Sequence, residues 1–147
     1  MSESPSNAAR VRAAYEHWEQ CRGSDPEPFF ALIGEDFAMA SVLDPPDLHE
    51  LACDHCGHDR VRDYFAALDA DWTMIDFTTE QVIEQGDTVV WIGNCTWRNR
   101  HTGSAAATPK VDIWTFREGQ AVRMFEMFDT LAFVRGAGML QQLAAAG

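Results

Sequence analysis

The sequence is poor in positive charge. Lysine and arginine together number 11 against 23 aspartates and glutamates, and Lys110 is the single lysine, so the formal net charge is −12 at pH 7. Nucleic acids and anionic lipids are themselves negatively charged, and a chain this acidic is repelled by both. We therefore expect neither a nucleic acid nor a membrane among its partners.

Other features that mark particular protein classes are also missing. No apolar run approaches the roughly 20 residues that cross a bilayer, and residues 1–7 lack the basic start and apolar stretch of a signal peptide. We therefore expect a cytoplasmic protein whose four cysteines are reduced thiols or ligands rather than disulfides. The chain contains no P-loop, no GxGxxG motif and no GxSxG motif.

What the sequence does contain is a globular composition with helical patterns in its first half. Hydrophobic residues make up 46% and charged residues 23% of the 147 residues, which suits one domain over residues 1–147. One face of the first helix gathers four apolar side chains at helical spacing: Val11, Ala14, Tyr15 and Trp18. The patterns predict that this helix ends at Gly23, that a second runs from Asp25-Pro26 to Gly34, and that a third covers roughly residues 58–69, after a strand over 37–42.

The second half has the composition of strands. It is rich in valine, isoleucine, threonine, tryptophan and phenylalanine, and turn signals divide it. The predicted strands cover residues 72–85, 88–100, 105–117 and 120–128, followed by a short helix capped by Asp129 and a possible turn over 139–146. The order of elements predicts an α+β domain in which a curved antiparallel sheet packs on three N-terminal helices.

This layout resembles the nuclear transport factor 2-like superfamily, which includes the SnoaL-like polyketide cyclases and ketosteroid isomerase. The resemblance covers roughly residues 8–135, the core of the domain, and rests on the element order and on three stretches: "VRAAYEHW", "GHDRVRDYFAAL" and "VDIWTFREGQAVRMFEMFD". It implies a cone-shaped sheet (a cystatin-like roll) around a deep apolar pocket, and a homodimer. Functions vary widely on this fold, so the resemblance alone does not define one.

The last hairpin decides which side chains point into such a pocket. With Arg117 to Gly119 as the loop, Asp112 is expected to face Met124, and alternate residues share one face. That face carries Lys110, Asp112, Trp114, Phe116, Val122, Met124, Glu126 and Phe128. The opposite face carries Val111, Ile113, Thr115, Phe125 and Met127 and could pack against a second subunit. In the alternative orientation, Lys110, Asp112 and Glu126 face water, since charged residues are rarely buried.

Asp112 and Tyr15 are the first candidates for catalysis. By resemblance, Asp112 occupies the position of a protonated aspartic acid in ketosteroid isomerase, itself a worked example of a carboxyl held neutral by an apolar site, and Tyr15 matches the tyrosine of the same oxyanion hole. Together they would donate hydrogen bonds to one carbonyl oxygen. The alternative is a core tyrosine whose hydroxyl bonds to the backbone.

The general base of the isomerase has no clear counterpart. Its position on the first strand falls near Ser41, and Asp44 follows three residues later in a Pro-Pro loop, where an aspartate is commonly a turn residue. Glu126 is the other candidate acid or base, at a position where, by resemblance, limonene epoxide hydrolase has a catalytic aspartate. Its alternative is a cross-strand ion pair with Lys110.

Large aromatic and apolar side chains are expected to line the pocket. The candidate ligand-binding residues are Trp18, Trp97, Trp114, Phe116, Met124 and Phe128. Such a wall suits a flat, hydrophobic small molecule, although plain core packing is the commoner fate of these residue types.

The stretch "HELACDHCGHD" raises the question of a metal. His49, Cys53, Cys56 and His58 have tolerable spacing for zinc, but no second ligand pair accompanies them. We therefore expect no metal and no other cofactor, and interpret the stretch as a mobile lid at the pocket mouth.

Two functions follow as hypotheses. The first is a cofactor-independent acid–base enzyme of isomerase, cyclase or dehydratase type that acts on a hydrophobic carbonyl or hydroxyl compound through Asp112, Tyr15, Glu126 and Asp44. The second is a dimeric module that binds a ligand or partner without chemistry, and the missing base on the first strand favours it.

Overall fold

Four helices and six strands form the domain in the computed structural model, which describes residues 4–141 and residue 144. The helices are α1 (Asn7–Gln20), α2 (Glu27–Phe30), α3 (Gly57–Asp71) and α4 (Thr130–Ala137). The strands are β1 (Ile33–Ser41), β2 (His55–Cys56), β3 (Trp72–Gln85), β4 (Thr88–Asn99), β5 (Ala105–Arg117) and β6 (Gln120–Phe128). One 3₁₀ turn, Glu50–Ala52, lies between β1 and β2.

The six strands form one curved, unclosed sheet in the order β2-β1-β6-β5-β4-β3. The last four strands pair through consecutive antiparallel hairpins, as the turn signals predicted. Helices α1 and α3 lie against the concave face, and the buried apolar residues between helices and sheet make up the core. This is the cone-shaped α+β fold expected from the sequence.

The predicted antiparallel sheet is wrong at one pair of strands. β1 runs parallel to β6, with Met39 opposite Met124. No hairpin joins these two strands, because α3 and four other strands lie between them along the chain. β1 also begins earlier than predicted: Ile33 pairs with Ala121, so Ile33 and Gly34 belong to the strand and not to the end of α2.

The β5–β6 turn also differs from the prediction. The loop has two residues, Glu118 and Gly119, both with positive φ (52° and 79°), as in the turns that match the twist of a hairpin. Arg117 therefore pairs with Gln120, and a bulge between Thr115 and Phe116 restores the inward alternation.

This register brings different residues together. Asp112 lies opposite Glu126, whereas the sequence pattern had placed it opposite Met124, and Trp114 takes Met124 as its partner. In the bulge, the residue that points inward is Ala121, which is fully buried, whereas Val122 is half-exposed.

Side chains cap two of the helices, and of these caps the one at Asp129 was predicted. Ser6 caps α1 by accepting the amide of Ala9, and Asp129 caps α4 by accepting the amide of Ala132. Part of the turn predicted over 139–146 lies outside the described residues. Among residues 4–141, no helix has the length and apolar character required to span a membrane, and the cytoplasmic location stays a prediction.

Candidate functional site

A cavity of about 110 Å³, measured as the space open to the centres of water molecules, lies between the concave face of the sheet and helices α1 and α3. Most of its lining is aromatic or aliphatic. Five of the six residues predicted to bind a ligand contribute to this lining, namely Trp18, Trp97, Trp114, Met124 and Phe128. The sixth, Phe116, is buried behind Trp114, with ring centroids 6.5 Å apart, and does not line the cavity.

One part of the cavity wall is charged. Lys110, Asp112 and Glu126 all line it, and each carboxylate is 1% exposed. The Lys110 Nζ donates to both oxygens of Asp112, at 2.9 and 2.7 Å, and lies 3.2 Å from Glu126 Oε2. The predicted inward orientation of Asp112 is thus observed, and we call these three residues the buried charge cluster.

Strand geometry explains why the three charges meet. Lys110 and Asp112 are two residues apart on β5, so their side chains point to the same face. Glu126 lies directly across on β6, opposite Asp112. A lone buried charge would be very costly, and the cluster avoids this because a single cation contacts both anions.

Two tyrosines from the helices complete the hydrogen bonding. Tyr15 of α1 donates to Asp112 Oδ2 and accepts the Nε1–H of Trp114 at 3.1 Å. Tyr64 of α3 donates to Glu126, with its hydroxyl 2.9 and 3.0 Å from the two carboxylate oxygens. Each carboxylate is therefore held by a lysine and a tyrosine.

This arrangement differs from the oxyanion hole implied by the resemblance. Both oxygens of Asp112 accept hydrogen bonds from Lys110, and one of them accepts a second from Tyr15. The Tyr15 hydroxyl is itself directed at Asp112. Tyr15 and Asp112 are therefore bonded to each other and are not jointly free to donate to a ligand oxygen.

Burial and neighbouring charge set the proton affinities in the cluster. Burial raises the pKa of the Glu126 carboxyl, and the nearby Lys110 only partly opposes this effect. For Lys110, burial alone would lower the pKa, but Asp112 and Glu126 outweigh it and raise the pKa. Burial, together with the adjacent carboxylates, also raises the pKa values of Tyr15 and Tyr64. The lysine is thus held in its charged form, whereas the Glu126 carboxyl binds its proton more tightly than an ordinary glutamate does.

Cys95 lies in the same wall. Burial, which is its main influence, raises the pKa of its thiol to about 11. The thiolate is the nucleophilic form of cysteine, so Cys95 contributes packing and not a reactive sulfur at neutral pH.

Asp44, the fourth predicted catalytic residue, lies elsewhere. It is exposed in the loop after β1 and does not line the cavity. The prediction that it could act as a base in the pocket is therefore wrong for this arrangement, because the Asp44-Pro45-Pro46 segment carries the chain out of the sheet. Ser41, the other candidate position, bonds to the amide of Leu43.

The cysteine and histidine side chains after β1 do not converge. His49 Nε2 bonds to Asp71 at 2.7 Å, His58 Nε2 lies 3.3 Å from the carbonyl of Ile33, and the Cys53 thiol lies 3.2 Å from the carbonyl of Pro46. Within residues 4–141, no group of three histidine, cysteine, aspartate or glutamate side chains could hold a metal ion.

Sequence reasoning missed two members of the site. Tyr64 stood within the stretch "GHDRVRDYFAAL" without a role of its own, and Lys110 was placed on the same strand face as Asp112 but given no role beyond an alternative ion pair with Glu126. A signal for both was present, since the single lysine of the chain has the same strand parity as Asp112 and Tyr64 lies in the apolar stripe of "VRDYFAAL".

Comparison with known proteins gives the same fold. A family model for the SnoaL-like domain matches residues 11–124. The chain is similar to an NTF2-like protein of unknown function from Burkholderia pseudomallei, with 24% identity over 90% of this chain and 98% of that one and a TM-score of 0.78. It is also similar to TerC, crystallised with polyporic acid, with 25% identity over 88% and 95% of the two chains and a TM-score of 0.74.

A third solved structure is a hypothetical protein with a ketosteroid isomerase-like fold from Catenulispora acidiphila, in complex with trimethylamine, with 15% identity over 88% and 92% of the two chains and a TM-score of 0.69. No curated protein matches the chain. The fold and the family match together define a nuclear transport factor 2-like protein. The chain belongs to the SnoaL-like domain family within that superfamily.

Proposed function

We propose that this protein binds a flat, hydrophobic carbonyl or hydroxyl compound in its cavity and catalyses a cofactor-independent acid–base reaction on it, of isomerase, cyclase or dehydratase type. The observation that carries the proposal is the buried charge cluster, in which a lysine and two carboxylates line an otherwise apolar space. Perturbed titratable groups in a cleft are typical of sites that transfer protons.

Glu126 is the proposed proton-transfer group. Its raised pKa moves a carboxyl toward the range in which it can both hold and release a proton near neutral pH. Tyr64 fixes the orientation of this carboxyl through its hydroxyl. Glu126 would exchange a proton with a carbon or oxygen of the ligand, while Tyr64 keeps the carboxyl in place.

Lys110 is the proposed oxygen-binding group. An ammonium has three donors; two of them bind Asp112 and the third faces Glu126 Oε2 at 3.2 Å, so Lys110 would bind a ligand oxygen by turning this third donor from Glu126 toward the cavity. A positive charge there stabilises the oxyanion that develops when a carbonyl compound loses a neighbouring proton. Because its pKa is raised, Lys110 stays protonated, which disfavours a nucleophilic amine and imine chemistry.

Asp112 and Tyr15 then have a supporting part. Asp112 holds the ammonium of Lys110, and Tyr15, fixed in turn by Trp114, holds Asp112. In this proposal the residues first expected to form the oxyanion hole instead position the group that forms it.

The wall supports the proposed ligand class. Trp18, Trp97, Trp114 and Phe128 present aromatic surface to the cavity, and such surfaces suit planar apolar molecules. TerC, which has a similar fold, was crystallised with polyporic acid, and this supports a small organic molecule as the ligand of the cavity.

The second candidate function is a binding module without chemistry. It is favoured by the mutual satisfaction of the cluster, since each carboxylate already bonds to a lysine and a tyrosine, and by Ser41 at the position of the isomerase base. We propose a homodimer in either case, formed through the convex face of the sheet, where Val111, Ile113, Phe125 and Met127 remain partly exposed.

A panel of enones, aromatic polyketides and hydroxy ketones, with the Glu126→Gln variant, tests the enzyme proposal. We expect turnover to fall by about 100-fold or more while binding persists, because general acid–base catalysis commonly contributes that much. Glu16→Gln, an exposed change on α1, is the matched control and should leave turnover unchanged. Equal turnover in wild type and Glu126→Gln would refute the catalytic assignment, and binding without turnover across the panel would favour the binding module.

A further inference from the structure

A second, smaller cleft of about 50 Å³ lies beside the cavity. The two spaces share one wall, formed by Trp18, Phe65, Leu68, Trp72 and Trp97. Three of these side chains, Phe65, Leu68 and Trp97, are only partly buried. The cleft therefore begins where the cavity ends, and only side chains separate them.

Two arginines from different elements meet at this cleft. Arg22 follows α1, and Arg100 lies in the turn after β4. Asp69 of α3 is the one acidic residue among the lining side chains of the cleft, so the lining carries one net positive charge in a protein whose formal net charge is −12. Positive charge at this place is therefore a local exception.

The Arg22 guanidinium is held in place without a carboxylate. Its Nη2 donates to the backbone carbonyls of Met74 and Ile75, at 2.9 and 3.1 Å. Across the part of the chain that the structure describes, no carboxylate oxygen lies within 4.0 Å of it. Its charge is therefore oriented but not neutralised.

Arg100 is similarly fixed. Its Nε donates to the carbonyl of Trp72 at 3.2 Å, and its contact with Asp69 is long, at 3.6 Å. Arg100 can therefore bind a better-placed anion while its Nε contact to the backbone remains.

A third donor lies in the shared wall. Trp72 is 2% exposed, and its indole Nε1–H has no acceptor within the described residues. A buried donor without an acceptor is costly. The two guanidiniums call for an anionic oxygen group, and the unpaired indole N–H belongs to a residue of the wall that borders them.

We propose that the ligand of this protein is an amphipathic acid whose apolar body occupies the cavity and whose carboxylate or similar anionic group pairs with Arg22 and Arg100 in the cleft. This inference rests on the proposed function for the apolar body and adds the charge and position of the second end. The ligand would pass between Phe65, Leu68 and Trp97, the partly buried members of the wall.

Two fluorescent probes that differ by one anionic group test the inference. 8-Anilinonaphthalene-1-sulfonate carries a sulfonate, and N-phenyl-1-naphthylamine is the uncharged equivalent. In the full-length protein, we expect Arg22→Gln and Arg100→Gln each to weaken sulfonate binding about fivefold, as for a partly exposed ion pair, and to leave the uncharged probe unaffected. Arg12→Gln, an exposed change of equal charge on α1, is the matched control and should leave both probes unaffected.

The remaining outcomes separate the two proposals. If the uncharged probe binds and Arg22→Gln and Arg100→Gln do not weaken sulfonate binding more than Arg12→Gln does, the anionic subsite is refuted and the apolar cavity stands. If Arg22→Gln weakens both probes equally, the arginine only supports the wall, and the subsite is again refuted. If the wild-type protein binds neither probe, the ligand-binding cavity of the proposed function fails, and the subsite fails with it.

Discussion

Two clusters in this protein each place one ionic side chain between two partners. In the buried cluster a cation, Lys110, lies between two carboxylates, and Nζ is within 3.2 Å of an oxygen of each. In a surface cluster an anion, Asp71, lies between two histidine rings, with its oxygens 2.7 and 2.8 Å from their Nε2 atoms. The two clusters differ mainly in their exposure to water.

That exposure changes the direction of the pKa shifts. The Glu126 side chain is 2% exposed, and burial raises its pKa despite the adjacent lysine. The Asp71 side chain is 27% exposed; its partial burial would raise its pKa, but the hydrogen bonds from His101 and His49 together outweigh this and lower it. Pairing with oppositely charged or hydrogen-bonding neighbours thus accompanies a raised carboxyl pKa in one place and a lowered one in the other.

Removing the cation of the buried cluster is expected to have the largest effect. Lys110→Met leaves two buried carboxylates without their shared partner, which typically costs about 3–5 kcal/mol of unfolding free energy. Urea denaturation at pH 7 measures this cost, and it should shrink at low pH, where Glu126 binds its proton. Arg12→Met, which removes an exposed cation, serves as the control, and equal stabilities for the two variants would contradict the account.

Removal of the tyrosine hydroxyls is expected to cause the next largest loss of stability. Tyr64→Phe removes a hydrogen bond to the Glu126 carboxylate, and bonds to charged groups contribute about 1.5–3 kcal/mol. Tyr15→Phe should cost more, because it also leaves the Nε1–H of Trp114 without its acceptor. Thermal and urea unfolding of the two variants would test this order, and equal costs would mean that the Trp114 contact contributes nothing.

The contribution of Glu126 to folding stability should depend on pH, and this dependence is a further difference between the two clusters. Because the folded state raises this pKa, it binds the proton more tightly than the unfolded chain. The resulting stabilisation is fully present below the unfolded value of about 4.3 and is lost as pH rises through the folded pKa. We therefore compare the free energy of unfolding of wild type and Glu126→Gln between pH 4 and 9. The stability of wild type relative to the variant should be greatest at the acidic end. A constant difference would mean that Glu126 does not titrate as described.

The stability that the surface cluster contributes should change with pH in the opposite direction, and its loss should have the smallest effect on folding. The folded state lowers the pKa of Asp71, so its stabilisation is present above the unfolded value of about 3.9 and is lost as pH falls through the folded pKa. Asp71→Asn should cost about 1 kcal/mol or less at pH 7, as for a partly exposed ion pair. Measurement in added salt provides the check, since an undiminished cost at high ionic strength would contradict a surface electrostatic origin.

The sequence predicted the antiparallel part of the fold well. Residues 72–85, 105–117 and 120–128 form strands as predicted, because long alternating segments are determined locally. The start of β1 could not be found in this way. Ile33 follows the helical pair Phe29 and Phe30, and only its pairing with Ala121, far along the chain, extends the strand to include it.

The site was predicted less completely. Strand alternation correctly placed Asp112 and Glu126 on one face, but the bulge near Phe116 sets which residues lie opposite each other, and alternation carries no information on a bulge. Lys110 was harder still, because a charged residue is ordinarily expected in water. Its burial depends on two carboxylates meeting across strands, which is a property of the tertiary structure.

The most direct test of the account is the titration of the Glu126 carboxyl by ¹³C NMR in protein labelled at the glutamate side chains, with Glu126→Gln used to assign the resonance. We predict that this carboxyl titrates clearly above the ordinary glutamate value of about 4.3 and shifts further upward in Tyr64→Phe, which removes a hydrogen bond that opposes the shift. Titration at or below the ordinary value would contradict a Glu126 whose pKa is raised by burial and, with it, the proposed acid–base site.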